Sequence, residues 1–455
     1  MDSKSRPNFY IYFAAFSTTM AIFAGGQCFT WSSPMLPKLN SEDSDINPIG
    51  RPVTVTESSF IVSAFNLGLL MGTPISVVLS KLLTKKPCLL LSIGPILIAH
   101  ALLLFANQVT YFFIARLLMG ISTGTMWCFS PTFIAEIAED RNRGILGALA
   151  GIMSTAGSLL TYIVGPYTSV KYFSVINLVP AVIFLVSFGF FVPEDPYDLL
   201  QRNKISEAEV SLKKLRNNSK VEKELDYIRN CVNSDNEKRF IDLFKERGLR
   251  KAMGICIILM FIQQLCGVTA VISYTQTIFD LSGTTIPSDL SAIATGIISL
   301  IANIVSSILV DRSGRKILLI TSCCFTSISM FTLATYFYLL TSNVDVSSVF
   351  WLPIVSLMVF MFFFNFGLAV IPWVIVGEMF PSTVKPLAVT MSGFFNFGLS
   401  LTVNVFFPYL MALVGLSGTF YIFAFVTFLA VIFCYFKLPE TKGKTFKEIE
   451  MMLSK

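Results

Sequence analysis

The apolar positions of this chain fall into long unbroken blocks rather than into an alternating or one-face pattern. Blocks with almost no charge run over 9–31, 58–80, 88–107, 111–135, 145–167, 172–192, 252–279, 290–310, 317–340, 349–377, 386–411 and 416–436. A helix needs about 20 apolar residues to cross the hydrocarbon of a bilayer, so the pattern predicts twelve transmembrane helices. Lys4 and Arg6 precede the first block, as in a signal peptide. Its apolar run exceeds the roughly 7–15 residues of a cleavable core, and it reads as a retained helix. The polar stretch 194–250 has mixed charges and helix formers such as Glu207, Glu209, Lys213 and Lys214, and it separates six spans from six. The expected organisation is an all-α membrane protein. A six-helix bundle over 1–193 and another over 251–437 flank a linker of short helices over 194–250, and a tail follows over 438–455.

Composition bears on what the chain could do. Of 455 residues 54% are hydrophobic and 14% charged, against about 25% charge in soluble domains. Mean hydropathy is +0.70, which excludes a soluble enzyme or a nucleic-acid binder. The few charges are unevenly placed. Thirty Lys and Arg lie on the side that holds both termini and the linker, against three on the other (Lys38, Arg51, Lys171). The bias persists at sixteen against three without the long linker, and it places both termini in the cytoplasm. The opposite face opens with an acidic loop (Glu42, Asp43, Asp45). The one glycosylation-type sequence, Asn217-Asn218-Ser219, sits in the linker, on the wrong side for modification. Nine cysteines form no CxxC pair, so neither a disulfide framework nor a metal site is expected. There is no Walker loop, no HExxH and no Ser/His/Asp set, so the chain is not expected to be an enzyme or to hold a cofactor.

The two halves repeat. Lys85-Lys86 follows the second span and Asp311-Arg312-Ser313-Gly314-Arg315-Lys316 the eighth. Glu136 and Arg143 follow the fourth span at the same spacing as Glu378 and Lys385 after the tenth. Pro193-Glu194 and Pro439-Glu440 close the two halves. Offsets of about 230 to 246 residues in one direction indicate a parallel duplication, with a substrate cavity between the bundles near the midplane. The matched charges at helix ends suit a gate. They would pair across the bundles when the inner side is shut and separate when it opens, or else they serve only to fix topology.

Charge is nearly missing from the spans themselves. Arg116 lies toward the outer end of the fourth, and the only histidine, His100, sits among Ile, Ala and Leu in the third. Without a mid-membrane Asp or Glu to carry a coupling proton, passive transport is favoured over proton symport. Uncharged polarity is plentiful: Gln263, Gln264, Thr269, Tyr274, Ser299, Asn303, Asn365, Asn396 and Asn404. Amides and hydroxyls donate and accept, as sugar hydroxyls require, and Phe364, Trp373 and Phe397 offer faces for sugar C–H surfaces. The same amides could equally link helices. Phe-rich runs such as 360–366 read as lipid-facing or packing residues. Gly25-Gly26, Gly120, Gly124, Gly147 and Gly151 read as sites of close helix packing.

Seven motifs in order carry a family resemblance. They are Arg116-Leu-Leu-Met-Gly120; Pro131-Thr-Phe-Ile-Ala-Glu136 with Arg143-Gly144; Pro193-Glu-Asp-Pro196 with Leu199; Gln263-Gln-Leu-Cys-Gly267; Asp311-Arg-Ser-Gly-Arg-Lys316; Pro372-Trp373 with Glu378; and Pro439-Glu-Thr-Lys-Gly443 with Thr445 and Phe446. Over nearly its full length the chain resembles the sugar porter family of the major facilitator superfamily. The Trp31-Ser-Ser-Pro-Met-Leu-Pro-Lys-Leu39 stretch looks most like insect-type facilitated trehalose transporters.

The resemblance implies a facilitator fold working by alternating access in the plasma membrane, with a single chain sufficient for transport and a sugar as its partner. It assigns Gln263, Gln264 and Asn396 to sugar hydroxyls, Phe364 and Trp373 to the broken tenth helix, and Tyr274 to the outer gate. Glu136, Arg143, Asp311, Arg312, Arg315, Glu378 and Lys385 fall on the inner charge network. Thr269, Ser299 and Asn365 occupy sugar-binding positions with changed residue types, and Phe397 replaces a tryptophan. Gly151 stands where hexose carriers place a glutamine, which would leave room for a disaccharide. Residues 81–86 lose the acid and glycine of the usual turn. Gly367-Leu-Ala-Val-Ile371 loses a helix-breaking proline, so the tenth span should bend less. Proton symport and a non-transporting sugar sensor are the rival readings.

Overall fold

The computed structural model describes residues 9–139, 142–217, 221–234, 247–380 and 384–442, with Lys444, Glu448 and Met452. Asn218, Ser219, Gly443, Thr445 and Phe446 lie outside the described residues, as do the side chains of Arg143, Asp311 and Arg312. Eleven described helical stretches are long and apolar enough to cross a membrane. In the first half they are Phe9–Leu39, Val55–Leu82, Lys85–Leu104, Val109–Ile137, Gly144–Val164 and Val170–Phe191. Gly248–Leu281, Ser288–Val310, Arg315–Thr341, Ser347–Met379 and Leu387–Phe436 follow. The last would measure about 75 Å if straight, more than twice the hydrocarbon thickness of about 30 Å. It turns back at Gly415, whose φ of 75° and ψ of 171° suit glycine alone. The stretch therefore holds the eleventh and twelfth spans.

Each half has its own apolar core. One gathers Met119, Phe133, Phe173 and Phe184, and the other Leu259, Leu333, Phe360 and Phe420. Close packing by small residues holds for Gly26 and Gly120, where an added Cβ would lie 2.0 Å from Ser154 O and from Phe65 O respectively. Gly147 departs from that expectation, since nothing stands within 4 Å of its Cβ position. The 360–366 aromatic run is packing rather than lipid-facing: Phe360 and Phe364 are buried and stacked, and Phe362, Phe363 and Phe366 are half-buried.

The linker forms helices Pro196–Gln201, Ile205–Arg216 and Glu222–Ser234 around a small core of Leu199, Leu212, Val221, Leu225 and Ile228. It is fastened to the first half. Arg216 donates to Ile137 O at 2.8 Å, Arg202 to Leu82 O and Ser80 O, and Lys214 to Phe191 O. These contacts mark the ends of spans two, four and six as one side, called here the linker side.

Two spans are interrupted, and both interruptions bear on function. The seventh consists of Arg247–Leu265 and Val268–Leu281, joined at Gly267. Gly267 has φ +88°, and a Cβ there would meet the Phe423 ring at 2.4 Å. Replacing it with alanine therefore combines backbone strain with overpacking. Gly267→Ala is expected to lower stability by roughly 2–4 kcal/mol, read as a fall in the thermal midpoint of detergent-solubilised protein. An unchanged midpoint would contradict this account of the break.

Candidate functional site: an amide chain between broken helices

The tenth span is broken where its sequence leaves a carbonyl without a donor. Helix Leu352–Phe363 passes through a π turn over Phe364–Leu368 before helix Ile371–Met379. Pro372 has no N–H, so Leu368 O, four residues earlier, lacks its helical partner. In a membrane interior such a group must be satisfied by protein. Gln263 supplies the donor: its Nε2 lies 2.7 Å from Leu368 O and 3.1 Å from Ala369 O. Ser322 repairs the other side, donating to Phe363 O at 2.6 Å and accepting from Leu368 N at 3.0 Å. The span is thus interrupted without the missing proline, because Pro372 alone frees the carbonyl.

From Gln263 a chain of neutral groups runs toward the other half. Asn396 Nδ2 donates to Gln263 Oε1 at 2.6 Å, and Gln264 Nε2 donates to Asn396 Oδ1 at 2.9 Å. The Thr269 hydroxyl donates to Gln264 Oε1. The Ser400 hydroxyl lies 3.3 Å from Thr269 Oγ1 and donates to Asn66 Oδ1 of the second span at 2.7 Å. Gln263, Gln264 and Asn396 are all buried. Asn396, Ser400 and Asn404 follow at intervals of four, so they form one polar stripe down the eleventh span facing the broken seventh. Asn404 meets Ser273 at 3.4 Å. Ser400, Ser322 and Asn66 were not singled out from sequence. The four-residue polar stripe was the available signal for Ser400.

The other predicted site residues divide. Asn365 pairs with Asn303, whose Nδ2 lies 3.2 Å from Asn365 Oδ1, and Asn365 Nδ2 turns back to Met361 O at 2.8 Å. Phe364 is buried at the tenth-span break, with Trp373 half-buried beyond it. Phe397 packs on the core of the first half. Ser299 is not joined to the chain, since its hydroxyl donates to Thr295 O of its own helix. Tyr274 sits at a second irregularity of the seventh span (φ −121°, ψ 17°) against Phe407, and its buried hydroxyl has no partner among the described residues.

On the side opposite the linker, the halves are bonded to each other around this irregularity. Gln276 N donates to Ser33 Oγ at 3.2 Å, and the Tyr162 hydroxyl lies 3.3 Å from Thr275 Oγ1. Further out, Tyr167 donates to Asp289 at 2.5 Å. On the linker side Lys85 and Arg315 each gather acids of their own half. Lys85 contacts Glu136, Asp195 (2.8 Å) and Asp198 (2.9 Å), while Arg315 contacts Glu378 at 2.9 Å. Glu440 accepts from the backbone N–H of Arg315 and Lys316, and Thr441 donates to Glu378 at 2.5 Å. Arg143, Asp311 and Arg312, the other members expected in that network, have side chains outside the described residues. On the far side the halves are joined by the bonds of Gln276, Tyr162 and Tyr167 just given. Lys385 is exposed and has its own interactions.

Electrostatically the interior is almost neutral. Among the described residues, every Asp and Glu within a span lies within two residues of its end (Glu57, Glu136, Asp280, Asp289, Glu378). Arg116 is the exception among cations. It lies two turns from the far-side end of the fourth span and is fully buried in the first half. It donates to Cys28 O at 2.6 Å and stands 4.4 Å from the Phe65 ring and 5.3 Å from Trp31, with no acid paired to it. His100 is buried nearby in the same core. The site can therefore bind by hydrogen bonds and ring faces, with no carboxylate at mid-depth.

Comparison with known proteins agrees with this architecture. The family model described as "Sugar (and other) transporter" matches residues 9–453. The chain is 30% identical over 442 residues to the facilitated trehalose transporter Tret1 of Apis mellifera ligustica, covering 96% of this chain and 87% of that protein. It is 31% identical over 449 residues to Tret1 of Polypedilum vanderplanki, covering 97% and 88%. Among solved structures, a partially occluded inward-open form of the xylose transporter XylE from E. coli superposes with a TM-score of 0.80 at 22% identity, over 96% of this chain and all of that one. XylE bound to 6-bromo-6-deoxy-D-glucose gives 0.79 at 23% identity, over 98% and 100%. With twelve spans in two halves and a family match over nearly its whole length, the chain has the fold of the major facilitator sugar carriers and belongs to the Sugar (and other) transporter family.

Proposed function

We propose that the protein is a facilitative carrier moving trehalose or a hexose down its gradient across the plasma membrane. It works by alternating access, with both termini and the linker in the cytoplasm. The observation that carries this reading is the chain Gln263–Asn396–Gln264–Thr269 in an interior without mid-depth acid. Its donors and acceptors are occupied by one another. A polyhydroxyl ligand exchanges these bonds one for one, so binding needs no net loss of hydrogen bonds and no charge transfer. The facilitated trehalose transporters among its relatives support the substrate class. The bonds that join the halves on the far side, Gln276 to Ser33, Tyr162 to Thr275 and Tyr167 to Asp289, support an inward-facing carrier. Each chain contains both halves, so one copy suffices.

In this reading Lys85 with its three acids, and Arg315 with Glu378 and Glu440, keep each bundle rigid while the two rock against each other. Glu440 shows the effect most clearly. Burial alone would raise its pKa, but N–H groups of Lys442, Arg315, Lys316 and Thr441 hold it below the ordinary carboxylate value. A group whose folded pKa is depressed contributes stability at neutral pH and loses it as pH falls through that folded value.

Two outcomes are expected. In proteoliposomes preloaded with unlabelled trehalose or glucose, the wild type should show counterflow of the labelled sugar. Gln264→Ala should raise half-saturation about 5–30-fold, the equivalent of one or two buried hydrogen bonds. Absence of counterflow for any sugar would refute the carrier reading, and unaltered half-saturation in folded Gln264→Ala would refute the site. Glu440→Gln should melt at a lower temperature than wild type at pH 7, and the gap should close as pH falls below the usual carboxylate range of about 4. A gap independent of pH would contradict the role given to its charge.

A further inference from the structure

The fifth and eighth spans meet along a seam that crosses between the halves. From the far side inward, Tyr167 bonds Asp289, and a Cβ on Gly296 would touch the Tyr162 ring at 2.9 Å. At the third level a Cβ on Gly151 would lie 2.9 Å from Asn303 Oδ1. Asp289, Gly296 and Asn303 are seven residues apart, which keeps them on one face of the eighth helix. The first two contacts close the far side. The third is of another kind, because an amide oxygen faces bare backbone.

The orientation of that amide is set by its neighbours. Asn303 Nδ2 donates to Asn365 Oδ1, and Asn365 Nδ2 donates to Met361 O. With the NH2 end committed, Oδ1 points across the seam as an acceptor, one helical turn from Ser299 and beside the broken tenth span. Gly151 is half-buried and offers it no donor side chain.

We propose that Asn303 is a substrate-selecting residue. Its Oδ1 accepts a hydroxyl of the carried sugar at the inner lip of the site, and glycine at 151 is what lets the amide keep that place, since a Cβ there would lie 2.9 Å from the oxygen. This rests on the sugar-carrier reading and adds a specificity determinant to it. A side chain at 151 would push the Asn303 amide aside, so changes at the two positions should act on one contact. A disaccharide spanning the site would depend on that contact more than a single hexose ring.

The test measures half-saturation and maximal rate for labelled trehalose and for glucose in proteoliposomes of equal protein content. Asn303→Ala and Gly151→Ala should each raise half-saturation for trehalose about 5–15-fold, the loss of one buried hydrogen bond. Maximal rate should change little, and the effect on glucose should be smaller. The double variant should be no worse than either single one, and Asn303→Ser, which keeps a short acceptor, should recover part of the loss. If wild type transports sugar and all four variants keep its half-saturation and its trehalose-to-glucose ratio, the assignment is overturned while the carrier reading stands. Additive effects of the two alanines would overturn the shared contact. A wild type that moves neither sugar overturns the carrier reading and this assignment with it.

Discussion

The bond on which the site depends is the one Gln263 makes to the carbonyls of Leu368 and Ala369. A spanning helix in lipid has no water to repair a broken backbone, so a proline inside it creates a demand that only a neighbouring side chain can meet. Pro372 creates that demand in the tenth span, and Gln263, on the rigid first part of the seventh, meets it. Once Gln263 is fixed by its NH2 end, its oxygen can only accept, and Asn396 is oriented to donate to it. Asn396 in turn fixes Gln264, and Gln264 fixes Thr269. The polar site is the consequence of mending a helix, and its directionality is inherited from one carbonyl.

The same economy governs charge. Acids and most bases lie at span ends, where Lys85 and Arg315 gather carboxylates within their own halves. The buried Arg116 is held by a carbonyl and two ring faces instead of an acid. Apart from the Asp289 carboxylate, which accepts from Tyr167, the bonds named between the halves are neutral: hydroxyls, amides and backbone on the far side, with Ser400 and Asn66 linking the site itself to the second span. Contacts of this kind are weak enough to exchange with a ligand, whereas the ionic clusters hold each bundle as a unit. Rigid halves with an exchangeable seam are what rocking between two open states needs.

Much of this was legible in the chain. Twelve spans followed from apolar length, and the last pair was separable at Gly415 although the helix runs on either side of it without a polar loop. The paired glutamines, Asn396 and the tenth-span aromatics were identified by motif. What sequence did not show was direction. Ser299 lies on a site-forming helix yet spends its hydroxyl on Thr295 O, and Asn303 one turn further supplies the amide instead. The place of Arg116 near the far-side end of its span was legible, but not that Cys28, Trp31 and Phe65 enclose it. Nor does any residue pattern encode which side is closed: the matched charges at the span ends read the same in either state.

The central claim is that a neutral interior moves a neutral solute without a coupled ion. It is tested most directly by imposing a pH gradient on proteoliposomes that hold the protein, with labelled trehalose or glucose outside and a pH-sensitive dye in the lumen. The account predicts that sugar equilibrates to the external concentration and no further in either gradient direction, with no change in lumen pH linked to uptake. Accumulation above the external concentration when the outside is acid, accompanied by acidification of the lumen, would contradict it.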